Sequence, residues 1–414
     1  MPAAAHDPFA AFRHSAYLRY FLARVGSSTG VQILSTAIGW QIYYDTGEAI
    51  WLGLIGLVQF APAVLFVIPA GLASDRLGRR LVMGSAIWLN TLCATIILAL
   101  ALSGNFTPRL VLATLFVYGI GRAFYTPAAS SLAVNLVPRE DFPNAVGWNT
   151  ASWQIAHIVG PAAGGLLFGV SAEVAYGTAV GLMVAAAITI FSIPKPPQRI
   201  STEPTSLSTL LGGFSYVWRE KVVLGAISLD LFAVLLGGAV ALLPVYARDI
   251  LELGPQGLGL LRAAPGIGAV LMLAWLTKFP VRDHAGAVLL GTVAMFGLST
   301  AVFGLSTLPW LSILALGLVG AFDMISVYIR EIILQLWTPD EVRGRVNAVN
   351  GIFLGASNEL GEFRAGTMAA VYGAVFTVTA GGIAAVGVAG AVGLLVPRLA
   401  RIRSLDEAPR ARDA

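Results

Sequence analysis

The stretch GLASDRLGRR, from Gly71 to Arg80, separates two long apolar runs and therefore predicts a very short loop between two membrane helices. Gly71 is expected to let two helices approach closely, and Gly78 to supply the positive φ that so tight a turn needs. Asp75 can face a helix N-terminus, where a negative charge is favoured. Three arginines favour a cytoplasmic position for this loop: Arg76, Arg79 and Arg80. The same residues would also fit an ordinary basic cytoplasmic loop of any multi-helix membrane protein.

The composition of the whole chain is that of a polytopic membrane protein. Of its 414 residues, 57% are hydrophobic and only 12% are charged, and the mean hydropathy is +0.79. A soluble protein of this length needs a far more charged surface. Crossing the bilayer takes ~20 apolar residues per helix, so the chain has room for about twelve helices. The apolar runs are continuous and do not alternate with polar residues, which argues against a transmembrane barrel.

Twelve apolar segments are predicted to be membrane helices. They lie at about 17–45, 51–74, 79–102, 108–135, 143–169, 172–193, 222–250, 255–279, 284–306, 308–336, 343–369 and 371–397. These predicted helices are numbered 1 to 12 below.

The Pro- and Ser/Thr-rich segment 194–221 interrupts the series and predicts a cytoplasmic linker. Its second half has the pattern of an amphipathic helix lying on the membrane surface. We therefore expect a bundle at 1–193, the linker at 194–221, and a second bundle with a short tail at 222–414.

The distribution of positive charge predicts the orientation. Nineteen of the 26 Lys and Arg residues fall in the N-terminus, the even-numbered loops and the C-terminus, and only Arg109 and Arg248 fall in the odd loops. The positive-inside rule then puts both termini in the cytoplasm. The first apolar run is too long for a signal peptide, so no cleaved signal is expected. A net charge of +4 does not suggest a nucleic-acid partner.

An internal repeat supports a division into two halves. NLVPREDFPNAVGWN before helix 5 matches QLWTPDEVRGRVNAVN before helix 11. A shift of 201 residues superposes five identical pairs: Pro138 and Pro339, Glu140 and Glu341, Asn149 and Asn350, Gly160 and Gly361, and Gly165 and Gly366. A same-sense repeat after six helices indicates two parallel halves. The loop TKFPVRDHA at 277–285, which corresponds to the opening stretch, has lost most of its pattern.

Helix 5 carries a second motif, GPAAGG, in which small residues favour tight helix packing and proline favours a bend. Its members are Gly160, Pro161, Gly164 and Gly165. Ordinary small-residue packing would also account for it.

These motifs resemble those of the major facilitator superfamily. The pattern G-x-x-x-D-R-x-G-R-R is similar to the signature loop between its helices 2 and 3, and GPAAGG is similar to the helix 5 motif of its drug–proton antiporters. TPDEVRGRVNAVN (338–350) and SNELGEFRAG (357–366) resemble the bacterial branch that contains the enterobactin exporter. The resemblance implies twelve helices in two bundles, with helices 1, 4, 7 and 10 lining a central cavity. It also implies a cytoplasmic latch in which Asp75 faces the start of helix 11.

Ten ionisable side chains are expected at bilayer depth, where each costs ~2.5–3.5 kcal/mol even on the permissive insertion scale. They are Arg24, Arg122, Arg262, Arg330, Arg364, Asp230, Asp323, Glu331, Glu359 and Glu362. Six of them fall on the helices that the resemblance assigns to the cavity. On helix 1 Arg24, Ser28, Gln32 and Ser35 share a face, and on helix 4 Arg122 lies between Tyr118 and Tyr125.

The expected substrate-binding set combines these aromatic and charged groups: Gln32, Tyr118, Arg122, Tyr125, Asp230, Asp323 and Arg330. An arginine between two aromatic rings can hold an anion or stack on a planar group. We expect Arg122 and Asp323, both near mid-depth, to form the polar centre. A structural salt bridge between the halves is the alternative for this pair.

The acidic side chains are the expected proton carriers: Asp230, Asp323, Glu359 and Glu362. Burial disfavours the charged form of a carboxyl, and a neighbouring carboxylate disfavours it further. His157 is a weaker candidate, because a lone histidine in a membrane helix is more often a hydrogen-bonded packing residue. Arg262 and Arg364 lie near outer helix ends, where they can snorkel.

No enzyme signature competes with a transport function. The sequence has no P-loop, no nucleophile with a partner and no His, Cys or carboxylate cluster at metal-ligand spacing, and Cys93 is its sole cysteine. We therefore expect no metal, no cofactor and no ATP requirement.

The expected function is proton-coupled export of a siderophore-like or drug-like amphiphile by alternating access. The partners are a small-molecule substrate, protons and membrane lipid, in a monomer of the bacterial cytoplasmic membrane. Proton-symport uptake of a polar solute is one alternative, and a non-transporting membrane sensor or scaffold is another. The sensor is disfavoured by the short tail after Pro397.

Overall fold

A computed structural model describes residues 7–195 and 214–403. Helices account for nearly all of the regular structure in these two ranges. The half of the linker expected to be amphipathic lies mostly outside the described residues, although 214–219 form a helical turn. In that turn Val217 is buried, and the Tyr216 hydroxyl donates to the Trp337 carbonyl at 2.8 Å.

Seven long helices precede the linker. They are α1 Ser15–Thr46, α2 Ala49–Leu65, α3 Val67–Leu77, α4 Arg79–Leu102, α5 Pro108–Val134, α6 Phe142–Phe168 and α7 Ala172–Phe191. Short 3₁₀ turns at Ala10–Arg13 and Arg139–Asp141 precede α1 and α6.

Six long helices follow the linker. They are α8 Lys221–Gly237, α9 Gly254–Lys278, α10 Ala285–Leu305, α11 Pro309–Leu336, α12 Asp340–Tyr372 and α13 Ala374–Leu395. Between α8 and α9 the chain forms a 3₁₀ turn, a short α turn and a π-helix at Tyr246–Ile250.

Among the described residues, eight helices are long and apolar enough to cross a membrane. They are α4, α5, α7, the segment Lys221–Ile250 that begins with α8, α9, α10, α11 and α13. The shorter helix α2 is also apolar. The chain is therefore an all-helical membrane protein.

Packing divides the chain into two compact units. The first unit contains residues 1–42 and 61–205, and the second contains 43–60 and 206–414. The last turn of α1 and most of α2 thus pack with the second unit, so the boundary at this point differs from a simple cut at the linker.

Two of the predicted membrane helices, at 51–74 and 222–250, contain internal breaks that the sequence analysis did not locate. The first breaks at Phe66, between α2 and α3. Pro69 has no N–H to bond the Leu65 carbonyl, and its ring crowds that carbonyl. The second breaks after Gly237, where Gly238 is extended and Pro244 follows within a few residues.

Glycines allow close helix crossings at corresponding places in the two units. An added Cβ on Gly160 of α6 would overlap the Cβ of Gln32 on α1. At the repeat-related position, a Cβ on Gly361 of α12 would lie 3.2 Å from the Val234 carbonyl oxygen on α8. The sequence repeat therefore corresponds to the same kind of contact, made once within each unit.

The opening stretch forms a turn of a single residue. Gly78 separates α3 from α4 and has a φ of 95°, a conformation that favours glycine. Arg79 donates to the Ser131 carbonyl at 2.9 Å, and Arg80 donates to the Ile193 carbonyl. Because the last carbonyls of a helix lack intrahelical partners, these arginines fasten the ends of α5 and α7.

The close approach expected at Gly71 was wrong for this structure. Among the residues that the structure describes, an added Cβ at Gly71 meets no atom within 4 Å. Tight contacts of the first unit are made instead by α1 with α6 and α7 and by α4 with α5 and α7.

We expect Gly160→Ala to destabilise the protein. Its new methyl group would overlap Gln32, and overpacking a tight core costs typically about 1–3 kcal/mol. Gly177→Ala in α7 is the matched control, since a Cβ there meets nothing within 4 Å and replacing a helical glycine is favourable by about 0.5–1 kcal/mol. Thermal unfolding of the purified full-length variants measures both changes. Equal shifts in the two variants would contradict close packing at Gly160.

Candidate functional site

A buried ion pair joins α8 to α11 in the second unit. A terminal nitrogen of Arg330 contacts a carboxylate oxygen of Asp230. The two residues are only 2% and 6% exposed, so the pair is removed from solvent. The Nε atom of Arg330 has no hydrogen-bond partner among the described residues. The pair is thus held mainly by charge in apolar surroundings.

A second carboxylate faces the same pair. Asp323 lies two helical turns before Arg330 on α11, so the two side chains share one face. A very small pocket, with a volume of about 10 Å³, has Asp230 and Asp323 in its wall. Its full lining is Asp230, Ala233, Val234, Val293, Phe296, Asp323 and Ser326. Asp230 is therefore paired with Arg330, and Asp323 lies beside Asp230 in the wall of the same pocket.

Another charged group lies where α2 packs on α12. Glu362 is half-buried, and its carboxylate oxygen would lie 3.0 Å from a Cβ added at Gly56. The Glu359 carbonyl oxygen would lie 2.9 Å from the same atom. Arg262 on α9 is close enough to Glu362 for a favourable Coulomb interaction. Arg262, expected to snorkel or gate near an outer helix end, thus also interacts with one of the expected proton carriers.

Arg364 occupies a different environment from Arg262. Its Nη1 lies 3.7 Å from the Met368 sulfur, and its Nε and Nη2 have no hydrogen-bond partner among the described residues. A Cβ added at Gly381 on α13 would lie 3.4 Å from Nη2. This arginine therefore packs between α12 and α13 rather than pairing with a carboxylate.

The first unit holds a polar cluster at the crossing of α1, α5 and α6. Arg24 donates from Nε to the Ser152 hydroxyl at 3.0 Å, and Ser152 donates to the Asn149 carbonyl at 2.6 Å. The Tyr20 hydroxyl lies 2.9 Å from the Ala129 carbonyl oxygen and 3.1 Å from the Asn149 side-chain oxygen. The sequence analysis placed Arg24 on a face with Gln32, but its hydrogen bond turns it towards α6.

The three aromatic and basic residues of α5 differ in exposure. Tyr118 is 2% exposed, and its hydroxyl has no hydrogen-bond partner among the described residues. Arg122 is exposed, and Tyr125 is half-buried with its hydroxyl 3.5 Å from that of Ser27. The stretch therefore presents Arg122 outward from α5 between a buried and a partly accessible tyrosine.

Two further expected site residues lie in packing positions. Gln32 is the residue against which Gly160 packs. The ring of His157 stacks on Trp153 at 3.8 Å between centroids, and its Nδ1 lies 3.0 Å from the Trp153 carbonyl oxygen. Both contacts belong to α6 and its crossing with α1.

The expected pair of Arg122 and Asp323 joins residues of different units. Arg122 belongs to the first unit and Asp323 to the second. Their proximity stays a prediction. What the second unit itself contains is a different arrangement, in which Arg330 pairs with Asp230.

A third charged group was missed by the sequence analysis. The Tyr43 hydroxyl donates to the Asp249 carboxylate, and Arg248 donates to the Tyr43 carbonyl at 2.8 Å. The Arg248 guanidinium also lies 5.5 Å from the ring centroid of Tyr43 and 5.1 Å from that of Tyr44. The adjacent tyrosines at the end of helix 1 were the available signal, since aromatic rings favour cations.

Comparison with known sequences places the chain among membrane exporters. Residues 6–413 match the family described as transmembrane secretion effector. Macrolide efflux protein A of Streptococcus pyogenes is 25% identical over 286 residues, 66% of this chain and 69% of the relative. The multidrug efflux pump Tap of Mycolicibacterium fortuitum is 25% identical over 402 residues, covering 93% and 95%. The enterobactin exporter EntS of Escherichia coli O81 is 25% identical over 342 residues, covering 81% of each chain.

Solved structures share the fold at low sequence identity. A bacterial homologue of the human lysosomal transporter Spinster, in an inward-facing and occupied conformation, has a TM-score of 0.74 at 14% identity and covers 95% of this chain and 98% of its own. A D-xylose–proton symporter has a TM-score of 0.70 at 13% identity, covering 93% and 98%. At this level of sequence identity, the similarity is evidence for the fold only. The matched family and the shared fold together show that the chain belongs to the transmembrane secretion effector family of major facilitator superfamily transporters, and it is not an enzyme.

Proposed function

We propose that this transporter exports an amphiphilic small molecule in exchange for protons. The observation that carries the proposal is the presence of two carboxylates, Asp230 and Asp323, in the wall of one pocket, with Asp230 also paired to Arg330. Relatives named for macrolide, multidrug and enterobactin efflux favour export over uptake. The proposed location is the bacterial cytoplasmic membrane, crossed twelve times by a monomer with both termini in the cytoplasm.

The proposed coupling follows from the imbalance of charge in the pocket. With both carboxylates ionised, one guanidinium leaves a net charge of −1 in an apolar site, which is costly. Protonation of Asp323 removes that charge without breaking the pair between Asp230 and Arg330. Asp323 is therefore our primary proton carrier, and Asp230 is the partner that keeps Arg330 in place.

The remaining acids take secondary roles in this proposal. Glu359 and Glu362 lie on α12 where α2 packs, so a proton on Glu362 would weaken its attraction to Arg262. His157, stacked on Trp153, is better suited to packing than to proton transfer. The turn from Gly71 to Arg80 acts as a cytoplasmic latch, with Asp75 as its acidic member.

We expect Asp323→Asn to abolish proton-driven transport. The assay is uptake of a labelled macrolide and of enterobactin into everted membrane vesicles whose lumen is acidified. Wild-type uptake should fall to background when an ionophore collapses the pH gradient, and the variant should show that background rate throughout.

Glu331→Gln is the matched control, because Glu331 lies on the same helix but is not in the wall of the pocket. It should retain at least half of the wild-type uptake. The proposed coupling would be refuted by uptake that does not depend on the pH gradient. It would also be refuted by uptake that persists in a variant with all four acids neutralised, Asp230, Asp323, Glu359 and Glu362. Wild-type vesicles that transport no probe of either class would count against export of these amphiphiles.

We also expect an asymmetric cost when the buried pair is broken. Arg330→Met leaves Asp230 able to become neutral by taking a proton, whereas a charged arginine cannot lose its proton. Removing one partner of a buried ion pair lowers the free energy of unfolding by about 3–5 kcal/mol. The variant with both Asp230→Asn and Asp323→Asn should therefore unfold at a lower temperature than Arg330→Met.

Adding Arg330→Met to those two Asn substitutions should recover part of the lost stability, because no uncompensated charge then remains. Thermal unfolding of the purified proteins at one pH gives the comparison. A combined variant less stable than either parent would show that Arg330 stabilises the unit by packing rather than by charge.

A further inference from the structure

We propose that Arg24 binds an acidic group of the transported molecule, so that the substrate is an amphiphilic anion. This inference rests on the proposed export function and narrows its substrate class. The chemistry it names is a carboxylate or similar oxyanion attached to an apolar, ring-containing body.

The first reason is the separation of charge between the two units. Helices α4, α5 and α6, together with residues 15–42 of α1, contain no Asp or Glu at all. They carry Arg24 and Arg122, which the sequence predicts to lie within membrane helices. The helices of the second unit hold the acids instead: Asp230, Asp323, Glu331, Glu359 and Glu362. These four helical segments of the first unit therefore carry basic side chains and no acidic ones.

The second reason is that the partners of Arg24 are all neutral. Ser152 accepts from its Nε, and the Tyr20 hydroxyl is within hydrogen-bonding reach of its side chain. Among the described residues, no carboxylate forms an ion pair with Arg24. A cation at this depth without a counter-charge is costly. An anionic ligand would supply that counter-charge.

The third reason is the way in which Arg24 is fixed. Ser152 is fully buried, and its hydroxyl is itself tied to the Asn149 carbonyl, so the bond to Nε holds the guanidinium in one orientation. Fixing the guanidinium through Nε leaves its terminal nitrogens for other bonds. A guanidinium edge matches the two oxygens of a carboxylate, and a pre-oriented guanidinium loses less entropy on binding.

The surroundings of Arg24 suit the rest of an amphiphile. Arg24 is partly exposed and lies nine residues into α1, a rise of ~14 Å. Ser27, whose hydroxyl donates to the Arg24 carbonyl at 3.2 Å, lies 3.5 Å from the hydroxyl of the half-buried Tyr125 on α5. An aromatic ring beside a cation favours a ligand that combines a ring with a negative group.

A purely structural role is the competing explanation, because Arg24 also links α1 to α6 through Ser152. In that role, loss of Arg24 would lower stability and weaken binding of every ligand equally. The anion site instead makes the effect depend on the charge of the ligand. Probes that share one ring system and differ only in charge separate these two explanations.

The experiment measures binding of three dansyl probes to the purified full-length protein by fluorescence. Dansylglycine carries a carboxylate, dansylglycinamide is neutral, and dansylcadaverine carries an amine. Wild-type protein should bind the anion at least about tenfold more tightly than the other two, the size expected of a charge-assisted hydrogen bond. Arg24→Gln should remove this preference, and Arg24→Lys should retain part of it.

Arg109→Gln is the matched control, since it removes an equal charge at the exposed start of α5; it should keep the full preference. Equal affinity for all three probes, a preference for the amine, no binding of the anion, or the same loss in Arg109→Gln would each overturn the assignment. Vesicle uptake tells this failure apart from failure of the export proposal. Proton-driven uptake without an anion preference overturns only the role of Arg24, whereas anion binding without proton-driven uptake overturns only the export proposal.

Discussion

The pairing of Arg330 with Asp230 is the constraint on which the second unit depends. An arginine cannot shed its proton inside a membrane protein, so its burial requires a carboxylate that stays in place. That requirement ties α8 to α11. Asp323 lies in the wall of the same pocket, and among the described residues it has no separate cation as a partner. In the proposed function, a fixed pair next to one unpaired acid would let the site gain and lose a proton while the pair stays in place.

Small residues supply the other constraint, because helices in a membrane gain little from burying apolar surface against one another. Close contact must provide the stabilisation, and glycine permits it. Gly160 lets α6 reach Gln32 on α1, and Gly361 lets α12 reach Val234 on α8. The polar groups lie within a few turns of these crossings. Packing therefore fixes the positions from which Arg24 and Asp230 act.

Much of the fold could be predicted from the sequence, because long apolar runs and a single-residue turn leave few alternatives. The turn at Gly78 and the membrane helices of the second half follow directly from hydropathy and from the conformation of glycine. The breaks at Phe66 and Gly238 were not predicted. Proline and glycine are common in membrane helices, so their presence alone does not say which helix will break.

The candidate site was predicted less well, because a helix face fixes only directions and not partners. Asp323 and Arg330 are seven residues apart and so share a face of α11, yet this spacing could not show that Arg330 pairs with Asp230 on α8. Likewise Arg24 was placed on a face of α1 without a sign that Ser152 on α6 would turn it. Contacts between helices that are distant in the chain depend on the angles at which the helices pack. Residue spacing within one helix gives no information about those angles.

The equivalence of Gly160 and Gly361 has a consequence for how such chains diversify. Each unit keeps a glycine at the same helix crossing, while the charged residues around the two crossings have become entirely different. Since the crossing does not depend on those charges, substitutions can accumulate in one copy without disturbing the chemistry of the other. A transporter with two such units can change its substrate through substitutions in one unit while the other unit keeps its proposed role in proton coupling. Relatives at 25% identity that are named for such unlike molecules as a macrolide and enterobactin are what this separation of roles would produce.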